Sequence, residues 1–265
     1  TLGALSATGQ TKYHKGFEPL FKGFEFFSYN DYRSFEKLLH RLEDAKESVA
    51  AVLIEPIQGE GGVNPGNQVF FKQLRKICNE KNILLILDEV QSGMGRCGSL
   101  WGYEQLGIEP DAFTTAKGLG GGHPIGALLV KHKADFFDKG DHASTFGGNP
   151  FACQAALTVA NEIERKNLIY NVNCRGKQLK DGLQLIIEKF PKKLNQVRGF
   201  GLIQGLVIRE DIELTAIDIT HQAMKEKLLV VPAGEKVVRI VPPLNIKKNE
   251  INELLKRLEK ALVKH

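Results

Sequence analysis

No apolar stretch in this chain approaches the ~18 residues that a bilayer-crossing helix needs. The opening TLGALSATGQTKYHKGF also lacks the basic-then-apolar pattern of a secretory leader. A cytoplasmic protein without a membrane partner is the expectation. Cysteine is scarce: Cys78, Cys97, Cys153 and Cys174 lie far apart, with no CxxC pair and no histidine at metal-ligand spacing. That argues against a disulfide framework and a zinc site, and leaves reduced structural thiols. Basic blocks are missing as well, because the formal charge of +5 is interleaved with acids. A nucleic-acid partner therefore has no electrostatic footprint. There is no internal repeat and no low-complexity tract. The chain does not open on methionine but on Thr1, which suggests a piece of a longer protein.

What is present suits a globular enzyme. With 265 residues, 42% hydrophobic and 25% charged, the chain can bury one large core or two ordinary ones. Ser34 followed by Phe35, Leu38, Leu39 and Leu42 predicts a capped amphipathic helix, and Phe70, Phe71, Leu74, Ile77 and Cys78 predict a second. Between them lies AAVLIEPI, a continuous apolar run of the kind buried on both faces of a parallel sheet, and ILLILD (83–88), DAFTTA and GALLVK follow as further strands. The alternation predicts an α/β domain with a mostly parallel sheet, whose ligands sit beyond the carboxyl ends of the strands. Glu55, Asp88 and Lys117 fall at such ends. After Asn149-Pro150 helical stretches run over 151–189. Short strands are then expected in FGLIQGLVI, LLVVPAG and KVVRIVPPL, before a closing helix introduced by Asn249. The domain change is placed near residue 155, giving units 1–155 and 156–265.

In TTAKGLGGGHPIGA, Lys117 precedes Gly118, Gly120, Gly121 and Gly122. A phosphate loop has the opposite order, G-x-x-x-x-G-K-[ST], and no such motif occurs, although ILLILDE has the look of a nucleotide-hydrolysing strand. ATP hydrolysis is the weakest reading that remains. The other chemistry is a lysine amine bonded to a carbonyl cofactor, with glycines letting a bulky ring approach the backbone. Such a ring with a pyridine nitrogen needs a facing carboxylate to keep it protonated. Asp88 closes the preceding strand, though a strand-end aspartate capping a turn would look the same. Arg239 in VVRIVPPL lies among Val237, Val238, Ile240 and Val241, where an unpaired guanidinium would be costly, so it calls for a carboxylate. A salt-bridged arginine on an edge strand is the competing reading. His123 before Pro124 shapes its loop. The other histidines, His265 among them, show no catalytic spacing.

LIEPIQGEGG, LLILDEVQSGMGRCG, PDAFTTAKGLGGGHPIGA, STFGGNPFA and VVRIVPPL, in that order along almost the whole chain, resemble the class III pyridoxal-phosphate-dependent aminotransferases. The resemblance implies a fold type I transferase with an incomplete large domain and a small α+β C-terminal domain. It implies that Lys117 holds pyridoxal 5'-phosphate (PLP) and shuttles the substrate's proton. Asp88 would pair with the pyridinium nitrogen, and Gln91 would bond the phenolic oxygen. Thr145, with Ser144 beside it, would reach the phosphate in the neighbouring subunit of a homodimer. Arg239 would clamp a substrate carboxylate, and Glu60 would pair with Arg239 when no such carboxylate is there. The implied reaction moves an amino group between N-acetylornithine and 2-oxoglutarate. Ornithine, succinyl-diaminopimelate or 4-aminobutyrate are alternative donors, and a non-catalytic fragment is an alternative from another class. The family's phosphate-holding loop and stacking aromatic have no counterpart in these residues. The 265 residues alone are accordingly expected to be inactive and poorly soluble.

Overall fold

The computed structural model describes residues 2–263; Thr1, Lys264 and His265 lie outside the described residues, so the readings made for Thr1 and His265 are untouched by it. Helix α1 (Leu2–Ala7) opens the described chain and α2 (Tyr32–Asp44) follows an extended segment. The sequence placed the α2 cap at Ser34, but the helix starts three residues earlier than that implies. Asp31 is the cap, its carboxylate accepting from the Ser34 amide at 3.0 Å. The Ser34 hydroxyl is used elsewhere, accepting from the Ser28 amide. An aspartate is at least as good a cap as a serine, so the earlier start wins.

Strand β1 (Ala51–Ile54) leads into a small hairpin, β2 (Ile57–Gln58) and β3 (Asn64–Pro65). Helix α3 (Gln68–Glu80) follows, capped by Asn67, whose side chain accepts from the Val69 and Phe70 amides. Then come β4 (Leu84–Asp88), β5 (Ala112–Thr115) and β6 (Ala127–Val130). They build one four-stranded sheet in the order β1-β4-β5-β6. Both β1/β4 and β4/β5 are parallel, and β6 is antiparallel to β5. Leu85 and Leu87 on one face pack with Phe70, Phe71, Leu74 and Cys78 of α3. The opposite face carries Leu53, Leu84, Ile86 and, at its rim, Asp88, all less deeply buried.

Helices α4 (Pro150–Arg165) and α5 (Leu168–Lys189) occupy the stretch read as helical from sequence. Asn149 caps α4 by accepting from the Ala152 amide at 3.0 Å, and Pro150 takes the first helical position, where its missing N–H costs nothing. The second sheet is β7 (Leu194–Phe200), β8 (Ile203–Ile208), β9 (Val231–Pro232) and β10 (Val237–Ile240), in the order β7-β8-β10-β9 and antiparallel throughout. The run FGLIQGLVI is therefore not one strand. Gly201, at φ +45°, turns the chain between β7 and β8. Helices α6 (Ala216–Lys225) and α7 (Lys248–Val263) join α5 over this sheet, closing a core of Leu179, Leu183, Leu206, Val238, Leu258 and neighbours. β10 lies between β8 and β9, so Arg239 is on an interior strand and not on an edge.

A third, smaller cluster joins the two sheets. Ile57 and Val63 of the β2–β3 hairpin pack with Cys97, Ile203, Val207 and Val237. Val63 sits at φ +52°, a rare conformation for a β-branched residue. Gly205 of β8 makes room for it, since a Cβ there would lie 2.8 Å from Val63 Cβ. Arg198 of β7 fastens the same turn, donating from Nε (3.0 Å) and Nη2 (2.8 Å) to the Gly62 carbonyl. This seating delivers Glu60, at the hairpin tip, to the second sheet.

Candidate active site

Three parallel strands end on one rim. Asp88 is the last residue of β4 and lies in register with Thr114 of β5, and Lys117 follows the end of β5 by two residues. Glu55 follows β1, whose Ile54 is in register with Leu87. Because the strands are parallel, these three ionisable groups emerge at the same carboxyl edge. Glu55 feels the charge of both Asp88 and Lys117. Burial pushes the Glu55 carboxyl up to about 6, with Asp88 and Glu60 adding to the rise, while the Gly59 amide and Lys117 oppose it.

Asp88 is anchored through one oxygen: Oδ1 accepts from the Val90 amide (2.9 Å) and the Thr114 hydroxyl (3.3 Å). Its Oδ2 has no hydrogen-bond partner among the described residues. Lys117 is exposed, opens a short 3-10 turn over Lys117–Gly120 and sits at φ +43°. A left-handed lysine costs roughly 1–3 kcal/mol, strain of the kind found where a backbone is held for function. Next to Asp88, the buried Glu89 has a purely structural place. It accepts from the Ser92 hydroxyl and from the Gly102 (2.9 Å) and Tyr103 (2.8 Å) amides, while burial raises its pKa against those bonds.

The second group surrounds Arg239, which is 8% exposed. Its Nη1 donates to Glu60 Oε1 at 2.7 Å and to Gln91 Oε1 at 2.9 Å, and Gln91 Nε2 donates to Glu60 at 3.2 Å. The pair of Arg239 and Glu60 expected from the resemblance is thus formed. Gln91 is not a solvated loop side chain but the third corner of that contact. Burial pushes the Glu60 carboxyl up, but the hydrogen bond and charge of Arg239, with Gln91, outweigh it and hold it below its usual range. Arg239 Nε is buried and has no partner among the described residues. An unpaired buried donor of this kind is costly, and a carboxylate brought to it would satisfy it.

Ser144 and Thr145 are exposed on the loop before α4, where the Ser144 hydroxyl accepts from the Gly147 amide at 3.0 Å, and neither bonds Asp88, Lys117 or Arg239 among the described residues. Arg96, in GMGRCG, has no role that sequence reasoning assigns. Its guanidinium donates to the carbonyls of Leu202 (3.1 Å) and Pro242, fastening the loop after Gln91 to the second sheet. Arg198 and Gly205 escaped that reasoning entirely. Their partners, Gly62 and Val63, are more than a hundred residues away in the chain.

The profile of the class-III aminotransferases matches residues 1–262. The chain belongs to that family. It is 64% identical to an acetylornithine aminotransferase of Prochlorococcus marinus (strain MIT 9313) over 262 residues, which are 99% of this chain and 63% of that protein. It is also 56% identical to the acetylornithine aminotransferase of Nostoc sp. (strain PCC 7120), covering 99% of this chain and 61% of that one. The chain therefore spans less than two thirds of the length of these relatives. Among solved structures it resembles the N-acetylornithine aminotransferase of Stenotrophomonas maltophilia, with TM-score 0.80 and 39% identity over 92% of this chain and 64% of that one. It also resembles the ornithine aminotransferase of Toxoplasma gondii, with TM-score 0.90 and 30% identity over 100% and 62%. That structure is described with PLP at partial occupancy in its active site. The fold is accordingly fold type I, with the Asp88–Lys117 sheet as its parallel part.

The residues of this member of the family fit the ring of such a cofactor. An exposed amine and a carboxylate with one oxygen unengaged flank the same rim, and glycines follow the amine. Two groups of this type suit an aldehyde beside a pyridine nitrogen.

Proposed function

We propose that the protein transfers an amino group between N-acetylornithine and 2-oxoglutarate, using PLP bound at Lys117. When bound, the cofactor supplies an electron sink for breaking bonds at the amino-bearing carbon. Lys117 is the covalent anchor and, once released by substrate, the base that moves the proton at that carbon. Asp88 holds the ring nitrogen's proton through its unengaged oxygen. Gln91 donates to the phenolic oxygen. Arg239 orients a substrate carboxylate, and Glu60 takes its place when the end of the substrate facing Arg239 carries none. Cofactor-binding residues then come from 1–155, and the clamp is shared, Arg239 coming from 156–265 and Glu60 from 1–155. Ser144 and Thr145, exposed and without a hydrogen bond to Lys117 among the described residues, suit a phosphate held in a second copy, which makes a homodimer the working assembly. A cytoplasmic location accords with the described residues, where no helix is long and apolar enough to cross a membrane.

The observation that carries this reading is the placement of Asp88 and Lys117 at adjacent parallel strand ends. Borohydride reduction of the complete, PLP-loaded protein should fix the cofactor on Lys117 in a peptide map, and Lys117→Ala should abolish turnover. A label on another lysine, or turnover surviving the substitution, overturns the assignment. For the donor, kcat/KM should favour N-acetylornithine over ornithine, succinyl-diaminopimelate and 4-aminobutyrate. A preference for any of these would replace it.

A further inference from the structure

The contact of Arg239 with Glu60 has a third member whose chemistry the clamp alone does not require. Arg239 Nη1 is shared between Glu60 Oε1 and Gln91 Oε1, and Gln91 Nε2 returns to the same Glu60 oxygen. Charge fixes the amide: its carbonyl must face the guanidinium and its NH2 the carboxylate. One of the two N–H groups is thereby occupied, and one is left. The carboxamide is also packed in place. A Cβ at Gly59 would lie 2.4 Å from Gln91 Oε1 and 2.5 Å from Cδ, so the side chain rests directly on the turn that carries Glu60. That turn is itself pinned by the Gly59 amide donating to Glu55 Oε2 at 3.0 Å. Gln91 therefore touches both halves of the clamp while standing three residues from Asp88.

Building on the function read above, we propose that Gln91 is a positioning residue that couples the carboxylate clamp to the cofactor ring. With Arg239 latched to Glu60, the Gln91 amide is polarised by the guanidinium and divided between Glu60 and the phenolic oxygen. When a substrate carboxylate takes Arg239, Glu60 and Gln91 lose their common partner, and the amide is redistributed towards the ring. The ligand that releases the latch is a carboxylate presented to Arg239. A substrate end without one leaves the latch closed. The two half-reactions thus meet a differently bonded phenolic oxygen.

The test uses the complete, PLP-loaded protein and glutarate, an unreactive dicarboxylate. The readout is the pH midpoint of the visible absorbance of the bound cofactor, with and without glutarate, alongside calorimetric measurement of glutarate binding. In the wild type, saturation with glutarate should move the midpoint. Gly59→Ala keeps every functional group but evicts the Gln91 carboxamide, so glutarate should still bind while the shift is lost. Glu60→Ala should also diminish the shift. A direct effect of ligand charge predicts the reverse for Glu60→Ala, because there glutarate adds a charge where in the wild type it replaces one. An undiminished shift in Gly59→Ala, an enlarged one in Glu60→Ala, or an unmoved midpoint in the wild type with glutarate bound would each overturn the coupling while leaving the aminotransferase reading intact. A reduced cofactor mapped to another lysine would overturn both.

Discussion

Gly201→Ala tests how the loop after Gln91 is fixed to the second sheet. A Cβ at Gly201 would fall 2.6 Å from the carbonyl carbon of Cys97, 2.7 Å from the Arg96 oxygen and 2.8 Å from the Gly98 amide. All three are backbone atoms that cannot swing aside, and they belong to the loop that Arg96 holds. The residue also sits at φ +45°. A left-handed alanine costs roughly 1–2 kcal/mol, and forcing a methyl group into a close-packed contact costs about 1–3 kcal/mol more. The sum is roughly 2–5 kcal/mol, and at ~2–4 °C per kcal/mol for a domain of this size a Tm fall of about 4–20 °C is expected. Gly234→Ala is the matched control. Its φ is +76° but nothing lies within 4 Å of the added methyl, so it should show the backbone cost alone. Differential scanning fluorimetry of the two variants beside the wild type measures the difference. Equal falls in Tm for both would refute the claim that Gly201 is dictated by contact and not only by backbone geometry.

Glu55 gives a pH prediction. Its folded pKa of about 6 lies above the ordinary 4.5, chiefly through burial. The neutral form is favoured by folding, so this contribution is complete below the ordinary value and lost as pH rises through about 6. Glu55→Gln should match the wild type near pH ~4.5 and exceed it by about 1–2 kcal/mol above pH ~7.5 in denaturant titrations; an advantage confined to low pH would contradict this. Asp111, 2% exposed, accepts from the Leu85 amide (2.8 Å), Arg75 (2.8 Å) and Lys133 (2.6 Å). Burial would raise its pKa, but those three partners outweigh it and hold it low. Asp111→Ala leaves Arg75 without its counter-ion and should cost about 3–5 kcal/mol by urea unfolding; a loss under ~1 kcal/mol would show the cluster to be solvated. Arg239→Lys retains charge but not the planar fork. It should raise KM for carboxylate substrates ~10–100-fold, as loss of a charge-assisted bond worth about 1.5–3 kcal/mol would, and an unchanged KM in steady-state assays would remove Arg239 from the clamp.

The rim of the first sheet was legible because local sequence specifies it. ILLILD is an apolar run closed by Asp88, DAFTTA is a strand closed by Lys117 and a glycine turn, and parallel pairing then brings Asp88 and Lys117 to one rim without further information. The strand before Lys117 nevertheless stops at Thr115, one residue short of the expected end. β7 was missed because LNQVRGF is polar and contains a glycine, so its strand character comes from pairing with β8 and not from its own pattern. The partners of Gln91 were hidden for another reason. Arg239 is 148 residues away in the chain, and only the docking of two sheets makes them neighbours. Val63 at positive φ belongs to the same class, tolerated because Gly205 and Arg198 hold it from the other sheet.

The hairpin that carries Glu60 is covalently continuous with the first sheet yet bolted by Val63 and Arg198 to the second. Glu60 and Arg239 consequently ride on one body. The Gly59–Glu55 bond at one end of the turn and Arg96 beyond Gln91 tie the same region back to both sheets, so the ion pair has little freedom to be parted by movement of one sheet alone. Under the proposed function, the choice between substrates would then fall to ion exchange at the guanidinium, one carboxylate for another, more than to a hinge.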